Sequence, residues 1–112
     1  MRMWMISPKL LCRRHLLGEH NEIHKFRSIF ERGTSISKRI ELDQIEPESM
    51  ERRHTELAAE MERRGYHHNS PYKQPSLEKY SKEEREHRVN QERSYELLLN
   101  RCEECRKRAT LR

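Results

Sequence analysis

The sequence has little apolar material and few aromatic residues. Its 112 residues are 32% hydrophobic and 6% aromatic, with three glycines. No apolar stretch approaches the roughly 18 residues that a membrane span requires, so we expect no membrane association. The amino end also lacks the uninterrupted apolar run of a secretion signal. We therefore expect a cytoplasmic protein, in a bacterium or in a virus-infected host cell.

Cysteine is scarce as well. The three cysteines are an odd number, and without a secretion signal they are better interpreted as reduced thiols than as a disulfide framework. The chain is instead rich in Glu, Arg, Lys and Leu, which favour helices, and its apolar residues are periodic rather than scattered. These features predict one all-α domain over residues 1–112, a compact bundle of about three main helices with long connecting loops.

The first two helices are predicted from their end signals. Ser7 followed by Pro8 is a typical helix start, and a first helix is expected over about residues 8–32, ended by Gly33. Residues 33–46 show no clear period and are expected to form a loop. A second helix is expected from Pro47 to Gly65, a glycine well placed as a left-handed C-terminal cap.

The carboxyl-terminal half predicts a loop and a third helical region. Residues 66–80 carry two prolines and no periodicity, so we expect a long loop there that includes His67 and His68. Ser81 opens a capping box, and Asn90 is the expected cap of a further helix. Four residues of that region recur on one face: Tyr95, Leu98, Cys102 and Cys105.

The first helix presents an unusual polar row. At about 100° per residue, His15, Glu22 and Lys25 fall on one side, and Gly18 leaves a gap between them. An apolar stripe lies beside this row: Cys12, Leu16, Ile23, Phe26 and Phe30. The polar row is either an ordinary solvent-exposed face, which is the more common case, or part of a functional site at the border of the core.

Several sequence blocks are similar to one family. Arg14-His-Leu-Leu-Gly-Glu-His-Asn-Glu-Ile23, Arg53-His-Thr-Glu-Leu-Ala-Ala-Glu-Met-Glu-Arg-Arg-Gly-Tyr66, His68-Asn-Ser-Pro71 and Arg101-Cys-Glu-Glu-Cys-Arg106 occur in the order and at spacings compatible with that family. Together they resemble the pyrimidine-dimer DNA glycosylases.

The resemblance implies a DNA repair glycosylase with abasic-site lyase activity. In that family the free amine at the start of the chain, here that of Met1, attacks C1′ of the damaged nucleotide and forms a Schiff base. An α-amino group has a pKa of roughly 7.7–8.0, so a substantial fraction is neutral and nucleophilic at physiological pH. The resemblance assigns Glu22 as the catalytic carboxylate.

The resemblance also implies DNA contacts from Arg2, His15, Lys25 and Arg93. The expected substrate is double-stranded damaged DNA, bound by a monomer. The chain departs from the best-known member at Asn21, where that member has an arginine, and in starting with Met-Arg, which leaves the amine on Met1 itself.

Other interpretations stay open. The formal net charge of +5 favours a polyanionic partner, and it equally suits a non-catalytic basic helical protein that binds nucleic acid or a partner helix. Eight basic residues are expected on solvated helix faces, paired with neighbouring glutamates. They are Arg13, Arg14, Lys38, Arg39, Arg52, Arg53, Arg63 and Arg64. Trp4 is expected to be a buried anchor of the amino end.

The cysteines allow a metal site. Cys12-Arg-Arg-His15 and Cys102-Glu-Glu-Cys105 each have ligand spacing, and together they would make a structural zinc site. Plain burial of the late cysteines on the stripe that includes Leu98 explains the pattern more simply. We therefore expect no cofactor and no metal, with zinc as the alternative.

Overall fold

Residues 2–110 are described by a computed structural model of the chain. Within that range the protein is all-helical and contains no strand, as predicted. In order, the elements are a 3-10 helix Pro8–Leu10, α1 Arg13–Glu31, α2 Ser37–Glu41, a 3-10 helix Pro47–Ser49, α3 Met50–Arg63, α4 Lys82–Arg85, α5 Gln91–Arg101 and α6 Glu103–Thr110. None of these helices combines the length and apolar character needed to cross a bilayer.

The first predicted helix is interrupted near its start. Leu11 and Cys12 adopt extended backbone conformations, with ψ of 136° and 168°, and separate the 3-10 helix from α1. Both side chains are buried. The expected continuous helix over residues 8–32 is therefore wrong in its first turn, because turning these two side chains into the interior interrupts the helical backbone. Ser7 makes no side-chain capping bond.

The glycine helix ends are confirmed. Gly33 and Gly65 have φ of +68° and +87°, the left-handed conformation that glycine adopts without strain. After Gly33, Thr34 N donates to Ile29 O over 3.1 Å, and after Gly65, Tyr66 N donates to Met61 O over 2.9 Å. These six-to-one bonds satisfy carbonyls that the helix ends would otherwise leave without partners.

The segment between α1 and α3 is more ordered than predicted. Instead of a continuous loop it contains the short helix α2, and its Ile36 and Ile45 are buried in the core. The apolar side chains of this segment were too few to show a period. Residues 66–77, in contrast, have no regular secondary structure, which confirms most of the predicted long loop.

The third helical region is divided. The Ser81 capping box is present, and the Asn90 side chain accepts a hydrogen bond from Arg93 N, so both predicted caps are confirmed. Cys102 is extended, with φ −128° and ψ 111°, and it separates α5 from α6. The face expected to continue through Cys105 is thus divided between two helices, although both cysteines are buried.

The core lies mainly between α1 and α3, the two longest helices. The predicted stripe of α1 is buried as expected: Cys12, Leu16, Ile23, Phe26 and Phe30. The amino-terminal segment runs beside this core and is fixed by three bonds. Met3 N donates to Gln44 O, and the Trp4 and Ile6 carbonyls accept from the side chains of Ser94 and Arg53. This segment leads to the site.

Candidate active site

A cavity of about 200 Å³ opens where the amino-terminal segment meets α1 and the end of α5. Its walls combine one unusually polar stretch of α1 with residues from distant parts of the chain. The lining residues are Arg2, Trp4, His15, Gly18, Glu19, Glu22, Gln44 and Arg101. The predicted neighbours His15 and Glu22 therefore share one cavity, and Gly18 lies in the wall with them.

Glu22 is the carboxylate of this cavity that lacks a partner. Its residue is half-buried, and within residues 2–110 its Oε2 is buried without any hydrogen-bond partner. Leaving a buried polar atom unpaired costs roughly 1–3 kcal/mol, and such atoms are uncommon in folded proteins. Because Glu22 also lines the cavity, this unpaired oxygen lies close to the space that a substrate would enter.

His15 joins the cavity to a cluster of thiols. Its Nδ1 lies 3.2 Å from Cys12 Sγ and 3.8 Å from Cys105 Sγ, and its ring packs edge-on against Trp4 with 5.6 Å between centroids. Burial and, to a smaller extent, the charge of Arg14 lower the pKa of His15 below its usual value. The lowered pKa favours the neutral form of the imidazole.

Arg2 lies at the cavity. Its guanidinium lies 5.1 Å from the Trp4 ring centroid and donates to Leu42 O over 3.2 Å. Burial first, and the charge of Arg101 second, lower the pKa of Arg2 from its ordinary value, while Asp43 opposes this. Trp4 is buried as predicted. Met1, the predicted nucleophile, lies outside the described residues, and it is bonded directly to Arg2.

A family model described as pyrimidine dimer DNA glycosylase matches residues 1–74, which is 74 of the 112 residues. The chain belongs to the pyrimidine dimer DNA glycosylase family. No significant match is found among the curated proteins or among the solved structures. The matched range includes Arg2, His15 and Glu22, whereas Arg93 and Arg101 follow it.

Two predicted DNA-contacting residues of this family member lie outside the cavity. Lys25 is exposed on α1, three residues after Glu22, and Arg93 is exposed on α5. Arg93 lines a second cavity of about 320 Å³, which Arg2 also lines. Arg101 was not predicted. Its signal was its place in the late Arg101–Arg106 block, but only the packing of α5 against the amino-terminal segment brings it to Glu22.

Basic side chains connect the cavities. Arg2 lines the first two, and Arg101 lines the first and also a third, of about 590 Å³, together with Arg13 and Arg14. Within residues 2–110, Arg13, Arg14, Arg93 and Arg101 form no ion pair. These positive charges therefore remain available to an anionic partner.

The prediction of paired, solvated basic residues is correct for only part of its set. Ion pairs to glutamates are confirmed for Lys38, Arg52, Arg53, Arg63 and Arg64. Arg53 is nevertheless buried and the Arg64 side chain is only 9% exposed, so a solvated position is wrong for both. Arg13, Arg14 and Arg39 have no such pair in the described part of the chain. Arg13 and Arg39 lie instead over the rings of Tyr66 and Phe26.

Among the described residues, two side-chain clusters are close enough to hold a metal ion. The first is the predicted alternative, Cys12, His15, Cys102 and Cys105. The second is formed by His20, His54 and His68, and sequence reasoning missed it.

The histidine cluster is hydrogen-bonded internally. His20 Nε2 lies 2.9 Å from His68 Nε2, and His54 Nε2 lies 3.2 Å from His24 Nε2 and 3.1 Å from Ser70 O. The 2.9 Å contact is in the range of a hydrogen bond. These rings pack α1 against α3 and the 66–77 loop.

Proposed function

We propose that the chain is a DNA glycosylase with abasic-site lyase activity that acts on pyrimidine-dimer-type damage, with the α-amino group of Met1 as nucleophile. One observation carries the proposal: Arg2, the residue bonded to Met1, and the unpaired carboxylate of Glu22 line the same cavity. Membership of the glycosylase family supports the same chemistry.

The proposed base-release step uses an amine and a carboxylate. The neutral amine forms a bond to the sugar C1′, the bond from C1′ to the base breaks, and the base leaves with the electron pair. The attacking nitrogen then loses a proton to Glu22. When the bond from C1′ to O4′ opens, O4′ takes that proton back and the nitrogen becomes the Schiff base. Glu22 also stabilises the positive charge that develops on the sugar.

The lyase step follows from the Schiff base. The positive C1′–nitrogen group makes the C2′ hydrogen acidic, Glu22 accepts that proton, and the C3′–oxygen bond breaks with the phosphate as leaving group. The free amine is regenerated when water hydrolyses the Schiff base. The strand is then cut on the 3′ side of the damaged sugar.

DNA binding would use the unpaired basic residues. We propose that Arg2, Lys25 and Arg93 contact phosphates, that His15 contacts the nucleotide in the cavity, and that Arg101 adds a further positive charge beside Glu22. A damaged duplex would be bent and one nucleotide extruded, because a carboxylate in a cavity cannot reach C1′ within a stacked helix. We propose that a monomer suffices, since all of these groups come from one chain.

The test is borohydride trapping on duplex DNA with a single abasic site. Reduction of the Schiff base should give a covalent protein–DNA adduct for the wild type. Acetylation of the α-amine and Glu22→Gln should each abolish it. Glu31→Gln is the matched control, because Glu31 is an exposed glutamate on the same helix, paired only with Arg27 over 3.5 Å within the described residues. An adduct that survives acetylation of the amine would refute Met1 as nucleophile.

Base release is tested separately with a duplex that contains one cyclobutane pyrimidine dimer. The proposal expects strand cleavage at the dimer and none in the undamaged duplex. Equal binding of damaged and undamaged duplexes without cleavage of either, and without trapping on abasic DNA, would instead establish the non-catalytic DNA-binding alternative.

A further inference from the structure

All three cysteines of the chain meet one histidine in a single cluster. Cys12 precedes α1, His15 lies in its first turn, Cys102 separates α5 from α6, and Cys105 lies in the first turn of α6. Their ligand atoms all lie within 4.8 Å of one another, although about 90 residues separate the two halves. We propose that Cys12, His15, Cys102 and Cys105 bind one structural zinc ion.

Two of the three measured distances are close to those of a tetrahedral site. With bonds of about 2.3 Å to sulfur and 2.05 Å to nitrogen, tetrahedral zinc holds two sulfurs about 3.8 Å apart and a sulfur and a nitrogen about 3.6 Å apart. The structure has 3.7 Å between Cys12 Sγ and Cys102 Sγ. It has 3.2 and 3.8 Å from His15 Nδ1 to Cys12 Sγ and Cys105 Sγ. The distance between Cys12 Sγ and His15 Nδ1 is about 0.4 Å short of the tetrahedral value, and all four ligand atoms lie within 4.8 Å of one another, so a small shift of these side chains would suffice to bind one ion.

Backbone N–H groups around the cluster point at its sulfurs. Cys12 N and Cys105 N each donate a hydrogen bond over 3.4 Å, to Cys105 Sγ and Cys102 Sγ respectively. Backbone donors of this kind would hydrogen-bond to zinc-bound thiolates and orient them toward the ion. Three thiolates and a neutral imidazole leave the complex with one negative charge. Arg101 and Arg13 line the adjoining cavity with Cys12 and Cys102 and would compensate it.

A disulfide does not account for the same arrangement. A disulfide joins two sulfurs, so it would not explain why the third thiol and the imidazole nitrogen lie beside them. The sulfurs of Cys12 and Cys102 are 3.7 Å apart, well beyond the bonded distance of about 2.05 Å. The three cysteines are free thiols and all are buried.

The zinc ion would hold α6 in place. This helix has eight residues, and Cys105 is its one buried residue within the described range. So short and polar a helix is not stable by itself. Coordination by Cys12 and Cys105 would join the last helix to the start of α1. It would also fix the His15 ring in the wall of the Glu22 cavity, a consequence that rests on the proposed function.

The first test is the metal content of the full chain, purified without a histidine tag and measured by inductively coupled plasma mass spectrometry. The expected result is one zinc ion per chain. Cobalt substitution should give a thiolate-to-cobalt charge-transfer band and the intense visible bands of a tetrahedral site. Chelation should lower the Tm by at least about 10 °C. Protein that holds no stoichiometric zinc, even after refolding with added zinc, would overturn the proposal.

Variants assign the ligands. His15→Ala should lose the zinc, whereas His15→Cys should keep it because it supplies a fourth thiolate. His67→Ala is the control, since His67 is exposed in the 66–77 loop. Cys105→Ser should also lose the zinc. If that variant fails to fold, the comparison of His15→Cys with His15→Ala still shows whether residue 15 is a zinc ligand. Full zinc in His15→Ala would overturn this ligand set.

The result is independent of the proposed catalysis. Glu22→Gln should keep its zinc even if it loses trapping, because Glu22 is not in the cluster. Zinc without trapping would refute only the enzymatic proposal, and trapping without zinc would refute only the metal site.

Discussion

Glu19 and Arg53 form a bidentate ion pair in the interior, with Arg53 Nε donating to Glu19 Oε2 over 2.6 Å and Nη2 to Oε1 over 2.9 Å. The side chains are 0% and 2% exposed. Arg53 Nη1 also donates to Ile6 O over 2.7 Å. Since Glu19 lines the cavity beside Glu22, this pair connects α3 to α1 and to the amino-terminal segment that leads to the site.

Arg53→Met should strongly destabilise the protein. It leaves the Glu19 carboxylate buried without its partner, and the expected loss in the free energy of unfolding is about 3–5 kcal/mol, measured by urea titration. Arg52→Met is the control. Arg52 is 65% exposed, its ion pairs are 3.8 and 4.0 Å long, and its loss should be about 1 kcal/mol or less.

The double variant Glu19→Leu with Arg53→Met separates the two contributions. It removes both charges and should recover part of the stability lost in Arg53→Met, because the largest cost is the unpaired carboxylate. A double variant less stable than Arg53→Met would show that packing and the bond to Ile6, rather than the charge, dominate.

Acid should destabilise the protein through the histidine cluster. Burial first, and then the neighbouring histidines, lower the pKa of His20 and of His54 to about 4. Between about pH 6.5 and 4 the unfolded chain binds these protons and the folded chain does not, so stability falls as the pH is lowered through that range. Above it both states are neutral and neither histidine contributes.

The double variant His20→Gln with His54→Gln tests whether these two histidines cause the loss of stability in acid. Its Tm should fall less than that of the wild type between pH 7.5 and 5, because its unfolded state binds as many as two fewer protons. Both proteins keep the cysteine cluster, so acid effects there cancel in the comparison. His24, His68 and Arg27 also lie near these rings and remain in both proteins. Parallel Tm curves would contradict the expectation.

Local signals in the sequence predicted the helix ends well. Gly33 and Gly65 end their helices and Asn90 caps its helix, because each depends on the backbone within a few residues. The α1 stripe was found for the same reason, since helical periodicity is local. The break at Leu11 was missed because it depends on burial against distant parts of the chain.

The candidate site was predictable only where one helix supplies it. His15 and Glu22 are seven residues apart on α1, so helical spacing brought them together in advance. Arg101 comes from α5, and Glu19 forms an ion pair with Arg53, which lies 34 residues further along the chain. No periodicity encodes such pairs. The spacing of His20 and His24, one turn apart on α1, was a local signal for the histidine cluster that could have been used.

Arg101→Ala should weaken DNA binding through phosphate contacts. Because Arg101 forms no ion pair within residues 2–110 and lines two cavities, its positive charge is free for a phosphate. Affinity should fall similarly for abasic and undamaged duplexes, and the slope of log K against log salt should decrease by about 1. Arg52→Ala, whose charge is paired, is the control and should leave the slope unchanged. An unchanged slope in Arg101→Ala would exclude a phosphate contact.

Substitution of Gly18 should stabilise α1, and a large side chain at this position should also block access to the cavity. It lies inside α1, where glycine costs up to about 1 kcal/mol relative to alanine, and apart from its chain neighbours and its own helix backbone no atom lies within 4 Å of a Cβ added there. Gly18→Ala should therefore raise the free energy of unfolding by about 0.5–1 kcal/mol. Gly18→Leu should fold as well, but it would fill the wall between His15 and Glu22.

Trapping on abasic DNA distinguishes these effects. Gly18→Leu should lose most of its covalent adduct, while its free energy of unfolding in urea should be at least that of the wild type. Ser28→Ala, an exposed substitution on the same helix, should gain a few tenths of a kcal/mol and trap normally. Full trapping by a folded Gly18→Leu would mean that the sugar binds elsewhere, because a leucine side chain cannot occupy this wall and leave room for a deoxyribose beside Glu22.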